Sequence, residues 1–157
     1  MAREIERKFL VKNDSWKQQV QRSDYYHQGY LSGTDKSSIR VRIANEKAYL
    51  NIKSATLGIQ RTEYEYEIPV ADGREMIEHL CQGTIIEKTR YFVPDNGHLW
   101  EIDVFEGPNK GLVVAEIELD HEDEVFKKLD WLGDEVSDDP RYYNSCLVSH
   151  PYCDWEK

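Results

Sequence analysis

The sequence predicts an α+β domain in which an antiparallel sheet closes into an eight-stranded barrel, with a charged lumen and helices packed outside. Three observations predict it. Period-two alternation rich in Val, Ile, Tyr and Thr recurs in segments near 2–10, 25–31, 38–43, 47–54, 60–69, 84–93, 98–105 and 111–119. Turn residues separate several of these segments. In most of them the polar positions are charged residues that share one strand face, because side chains two apart point the same way.

The elements follow in order. Gly33-Thr34-Asp35, Asn45-Glu46, Asp95-Asn96-Gly97 and Gly107-Pro108-Asn109 mark turns, and Asn96-Gly97 is a strong hairpin signal. A capped amphipathic helix is expected from Asp72 through Met76, Ile77 and Leu80, stopping at Gly83. A second is expected from Glu122, Asp123 and Glu124 through Val125, Phe126, Leu129 and Leu132 to Gly133, its acidic start suiting the helix dipole. Shorter helices are expected over 14–21 and 140–148. With no repeat, low-complexity stretch or long Pro/Gly linker, residues 1–157 read as one domain.

Composition narrows the function classes. The 157 residues carry 20 Lys+Arg against 30 Asp+Glu, a formal charge of -10, which speaks against broad binding to nucleic acid or to an anionic membrane. No apolar run approaches the length of a membrane span, and Met1–Arg7 is charged where a signal peptide would be apolar, so a cytoplasmic protein is expected. Cys81, Cys146 and Cys153 are widely spaced and suggest reduced thiols rather than disulfides or a zinc site. The five histidines lack paired ligand spacing, and no Walker loop, nucleophile elbow or dinucleotide fingerprint is present.

The strand faces carry the chemistry. Glu4, Glu6 and Lys8 share one face; Arg40 and Arg42 another; Lys53, then Arg61, Glu63 and Glu65, then Lys88 and Arg90, Glu101 and Asp103, and Glu116 and Glu118 follow. For any single strand, a charged face that simply meets water is the ordinary explanation. Same-sign pairs recurring strand after strand are different, since like charges at neighbouring positions repel and need a ligand set to justify them. The opposite faces are apolar and need helices to cover them. Curling the charged face inward closes the sheet edges and makes a hydrophilic lumen.

Two jobs follow from the two signs. Lys8, Arg40, Arg42, Lys53, Lys88 and Arg90, with Arg61 joining them, suit an embrace of several phosphate groups. Glu4, Glu6, Glu63, Glu65, Glu101, Asp103, Glu116 and Glu118 suit hard divalent cations such as Mg²⁺ or Mn²⁺. Glu67, on the face of Glu63 and Glu65, reads as a rim charge. A metal-polyphosphate site is expected, with hydrolysis by a metal-activated water as its natural chemistry.

The opening Glu4-Ile5-Glu6-Arg7-Lys8 forms an E-x-E-x-K signature, and Arg40-Val41-Arg42, Lys53, Glu63-Tyr64-Glu65, Lys88-Thr89-Arg90, Glu101-Ile102-Asp103 and Glu116-Ile117-Glu118 follow in order. The chain thereby resembles the CYTH superfamily of triphosphate tunnel metalloenzymes over nearly its whole length. The resemblance implies an eight-stranded tunnel, a triphosphate clamped by the Lys/Arg set with the first six basic residues in catalytic roles, and Mg²⁺ or Mn²⁺ on the acidic pairs. It is similar above all to short bacterial tripolyphosphatases, which cleave the terminal phosphate. Alternatives are a class IV adenylyl cyclase, a nucleoside or thiamine triphosphatase, and a non-enzymatic polyphosphate- or nucleotide-binding module. The resemblance also suggests Arg141, Tyr142, Tyr143 and Asn144 on a C-terminal helix closing one tunnel mouth, with helix packing as the alternative for the two tyrosines, and leftover apolar outer surface is compatible with a homodimer.

Overall fold

In the computed structural model, residues 3–55 and 58–155 are described; Ala2, in the first expected strand, lies outside them. Nine strands form one sheet: β1 (Arg3–Val11), β2 (Arg22–Gly33), β3 (Ser37–Ala44), β4 (Lys47–Ser54), β5 (Gln60–Ile68), β6 (Gln82–Asp95), β7 (His98–Phe105), β8 (Val113–Leu119) and β9 (Leu132–Glu135). Their order is β5-β4-β3-β2-β6-β7-β8-β1, and pairing of β1 with β5 closes the barrel through Glu4↔Arg61 and its neighbours. Every pairing is antiparallel. β5 reaches only the first half of the free edge of β1, and β9 pairs with the second half.

Turn chemistry explains two of the tight connections. Asn96 and Gly97 both have positive φ (48° and 81°), as a two-residue type I′ hairpin between β6 and β7 requires. Asn45, φ 57°, begins the equally short link from β3 to β4. Helix α1 (Val70–His79) starts two residues before Asp72, directly after Pro69, and covers Val41, Ile43 and Ala48 with Ile77. Gly73 costs it about 1 kcal/mol of helix propensity, but a Cβ there would lie 2.8 Å from that of Ala48, so the glycine is what lets helix and sheet touch.

The main core lies outside the barrel. Ile5, Phe9, Trp100, Ile102 and Ile117 project outward from their strands and pack with Trp16, Trp131 and Leu132. Trp100 meets Phe9, Phe126 and Trp131 edge-on, at centroid distances of 5.7, 5.7 and 5.4 Å. Burying each such side chain stabilises the fold by roughly 2–3 kcal/mol.

The helix expected over 122–133 is not formed. Residues 124–129 are irregular, and Leu132 and Gly133 belong to β9. Two competing contacts explain this. Glu124 accepts a hydrogen bond from the Asp120 backbone N–H at 2.7 Å and pairs with His98, which ties its carboxylate locally. Phe126, Leu129 and Trp131 then spread across the aromatic cluster, and Gly133 passes so close to β1 that a Cβ would sit 2.9 Å from the Leu10 carbonyl oxygen. The helices expected over 14–21 and 140–148 are shorter than expected. Residues 14–21 contain a 3-10 turn, Ser15–Gln19, and residues 140–148 split into a 3-10 turn, Pro140–Tyr142, and helix α2, Asn144–Leu147. The split falls at Tyr143, whose backbone is extended and whose hydroxyl donates to the Ser137 carbonyl at 2.6 Å.

The bore is not charged throughout. Ile86, Phe105 and Val114 lie two residues from Lys88, Asp103 and Glu116 on the same strand faces, and they join Tyr30, Leu112, Leu147 and Val148 in an apolar cluster. That cluster fills one end of the barrel under α2.

Candidate active site

Above the apolar end lies a cavity of about 330 Å³ whose wall is almost wholly polar. Glu4, Glu6, Lys8, Arg40, Arg42, Lys53, Arg61, Glu63, Glu65, Lys88, Arg90, Glu101, Glu116 and Glu118 all line it. Alternation brings them there: beside many of them a sequence neighbour such as Ile5, Val41, Ile102 or Ile117 is drawn into an outer apolar cluster, whereas beside Glu63 and Glu65 the outward Tyr64 and Tyr66 are exposed. Asp103 is the exception among the charges expected at the site. It is fully buried behind the wall, and its two oxygens are taken by Arg90 and Lys88. Glu67 is exposed and absent from the lining.

The cations are held in distinct ways. Arg90 makes a bidentate fork on Asp103 (Nε 2.7 Å, Nη2 2.9 Å) and reaches Glu101 at 3.2 Å and Glu116 at 3.4 Å. Burial opposes its charge, yet Asp103 and Glu101 outweigh this and hold its pKa well above the usual range. Lys88 Nζ donates to Asp103 at 2.7 Å and to Asn144 Oδ1 at 3.0 Å. Desolvation dominates there, and its pKa is pushed down to about 7. Arg42 has no carboxylate in contact among the described residues; its Nε donates to Gln28 Oε1 at 2.7 Å, and burial, then Arg40 and Arg90, push its pKa down to about 10. Lys53 faces Glu63 at 3.1 Å and Glu4 at 3.7 Å, and Lys8 faces Glu116 at 3.4 Å.

The carboxylates are crowded enough to share protons. Desolvation and a hydrogen bond with Glu63 raise the pKa of Glu4, and the same bond with Lys53 and Arg40 lowers that of Glu63 despite its burial. Glu6 is pushed up to about 7 by burial and by Glu116, while Lys8 and Arg90 hold Glu116 well below the usual range against its own burial. One oxygen from each of Glu6, Glu101 and Glu116 lies within 4.8 Å of the others. Three hard oxygen donors so arranged fit a divalent cation.

Several residues that line or brace the site carry no charge and were not singled out by the face pattern. Tyr26 and Tyr30 line the cavity from β2, and Ser38 from β3. Asn51 bridges Arg40 (3.4 Å) and Glu65 (2.7 Å). Ser38 and Asn51 stand at period two beside Arg40 and Lys53, in strands whose charged members are already in view, whereas Tyr26 and Tyr30 lie in a strand with no such marker. Tyr143 and Asn144 line the cavity, whereas Tyr142 packs on Trp155 and Arg141 is exposed and paired with Asp139.

The CYTH domain family matches residues 2–143. The chain belongs to this family. It is 51% identical over 152 residues to an inorganic triphosphatase of Acetivibrio thermocellus, covering 97% of each chain. It is 38% identical over 150 residues to an inorganic triphosphatase of Nitrosomonas europaea, covering 92% of this CYTH chain and 96% of that protein. The crystal structure of an inorganic triphosphatase superposes with a TM-score of 0.67 at 35% identity, over 92% of this chain and 97% of that one. No helix among the described residues is long and apolar enough to cross a membrane.

Proposed function

We propose that this CYTH protein hydrolyses inorganic tripolyphosphate, releasing the terminal phosphate. The observation that carries the reading is the cavity itself, where a clamp of Lys and Arg faces a carboxylate trio in a chain half identical to a named inorganic triphosphatase. Lys8, Arg40, Arg42, Lys53, Lys88 and Arg90, with Arg61, bind the phosphoryl oxygens. Their fixed positive charge is worth most as negative charge moves onto the leaving pyrophosphate. Glu6, Glu101 and Glu116 would hold Mg²⁺ or Mn²⁺, with Glu4, Glu63, Glu65 and Glu118 around them. When bound, such a cation supplies Lewis-acid polarisation and a more acidic water. Asp103 serves the clamp instead, by fixing Arg90 and Lys88.

Phosphate release from tripolyphosphate, ATP and thiamine triphosphate, each with Mg²⁺ and with Mn²⁺, tests the proposal. Turnover should be greatest for tripolyphosphate and should vanish with chelator. Cyclic AMP made from ATP would instead support a cyclase, and tight tripolyphosphate binding without turnover a binding module.

Lys88 adds a signed prediction. With its pKa near 7, most of it is neutral at pH 8, and a bound polyanion favours the charged form. Metal-free tripolyphosphate binding at pH 8 should therefore take up protons, and Lys88→Met should reduce the uptake. Titration calorimetry in buffers of different ionisation enthalpy reads this directly; identical proton uptake in the variant would defeat the assignment.

A further inference from the structure

Strand β2 lies between β3, which carries Arg40 and Arg42, and β6, which carries Lys88 and Arg90. It thus separates two cationic strands, yet the residues it contributes to the cavity lining, Tyr26 and Tyr30, carry no charge, and the charged Arg22 and Asp24 further along the same face are not part of that lining. Tyr26 stands on that face directly opposite Lys88 in register, and Gln28 stands opposite Arg42. The Tyr26 ring meets three cations: the guanidinium carbons of Arg42 and Arg90 lie 4.3 and 5.2 Å from its centroid, and Lys88 Nζ lies 5.9 Å away. An aromatic face attracts cations at such distances.

Gln28, fully buried, completes the arrangement. Its Oε1 accepts from Arg42 at 2.7 Å and its Nε2 donates to Asn144 Oδ1 at 3.1 Å, the same oxygen that accepts from Lys88. Arg42 is therefore held by an amide and a ring, with no carboxylate in contact among the described residues. We infer that Tyr26 is a positioning residue of the phosphate clamp: its ring face keeps Arg42, Arg90 and Lys88 gathered against their mutual repulsion before the substrate arrives.

The consequence is a preorganisation effect. Without the ring, the Arg42 head group has only the Gln28 contact to hold it. Substrate binding must then bear the cost of ordering one long side chain, and losing the ring should lower affinity by about two- to tenfold. The inference uses tripolyphosphate as its probe and so rests on the function proposed above.

The test compares wild type with Tyr26→Phe, Tyr26→Leu, and proteins carrying phenylalanine with increasing numbers of ring fluorines at position 26. Fluorination drains the π face at nearly constant shape, so it keeps the test informative even where Tyr26→Leu folds poorly. Affinity for metal-free tripolyphosphate, KM and kcat for phosphate release with Mn²⁺, and the thermal midpoint are measured for each. Tyr26→Phe should stay within about twofold of wild type, the fluorinated series should lose affinity stepwise with KM rising more than kcat falls, and the midpoint should move little across it. Affinity unaffected by fluorination overturns the inference and leaves Tyr26 a packing residue. Wild type that binds tripolyphosphate but releases no phosphate overturns the proposed hydrolysis alone, because affinity still judges the ring; wild type that fails to bind it overturns both.

Discussion

Asp103→Asn should destabilise the metal-free protein by about 3–5 kcal/mol, the cost of removing one partner from a buried ion pair. Asp103 is fully buried, and its oxygens take three bonds from Arg90 and Lys88, all between 2.7 and 2.9 Å. Asparagine preserves the shape but brings no charge and turns an N–H group toward cations. Lys88 can relieve part of the penalty by losing its proton, since its pKa is already pushed down to about 7. Arg90 cannot. For a chain of this size the loss corresponds to a fall in thermal midpoint on the order of 10 °C, and added tripolyphosphate should restore part of it by supplying the missing negative charge. Thermal unfolding with and without ligand measures both effects. A direct metal ligand would behave differently: neutralising it would leave the metal-free midpoint almost unchanged, and that result would remove Asp103 from its bracing role.

Asp103 also marks how far the strand pattern could be read in advance. Alternation located the faces, because a residue such as Ile117 or Ile102 is drawn to the outer core and forces its neighbours inward. It could not tell a residue on the cavity wall from one behind it, since Glu101 and Asp103 have the same face and the same sign. Depth depends on position along the tilted strands, and the apolar end of the bore, where Phe105 follows Asp103, is a tertiary fact. Tyr26, Gln28 and Asn51 escaped for a related reason: a neutral residue between charged strands is conspicuous only once β2 is known to lie between β3 and β6. The failed helix over 122–133 had suitable apolar spacing. Its aromatic residues gained more by spreading over Phe9 and Trp100 than a single helical face would provide.

Glu116→Gln should have the opposite signature, a large loss of turnover with little loss of stability. Glu116 supplies one of the three oxygens placed for a divalent cation, and deleting its charge removes a hard ligand while keeping the shape. Loss of one such electrostatic contribution corresponds to about 10²–10³-fold in kcat, partly recovered by raising Mg²⁺ or Mn²⁺. Stability is protected by Glu6. Its pKa of about 7 is held up by burial and then by the charge and hydrogen bond of Glu116, so neutralising Glu116 lets Glu6 ionise. The negative charge facing Lys8 and Arg90 therefore moves to the neighbouring carboxylate, where Asp103 has no such substitute. The sign of the pH effect follows. In wild type, a cation must displace the proton held by Glu6, so metal affinity should rise with pH through about 7. In Glu116→Gln that proton leaves at lower pH, and the residual metal-dependent rate should reach its plateau earlier on the acid side. Phosphate release across pH and metal concentration, alongside thermal midpoints of the metal-free proteins, separates the two carboxylates: a midpoint for Glu116→Gln as low as that for Asp103→Asn, or full activity at limiting metal, would show that Glu116 braces the clamp and holds no cation.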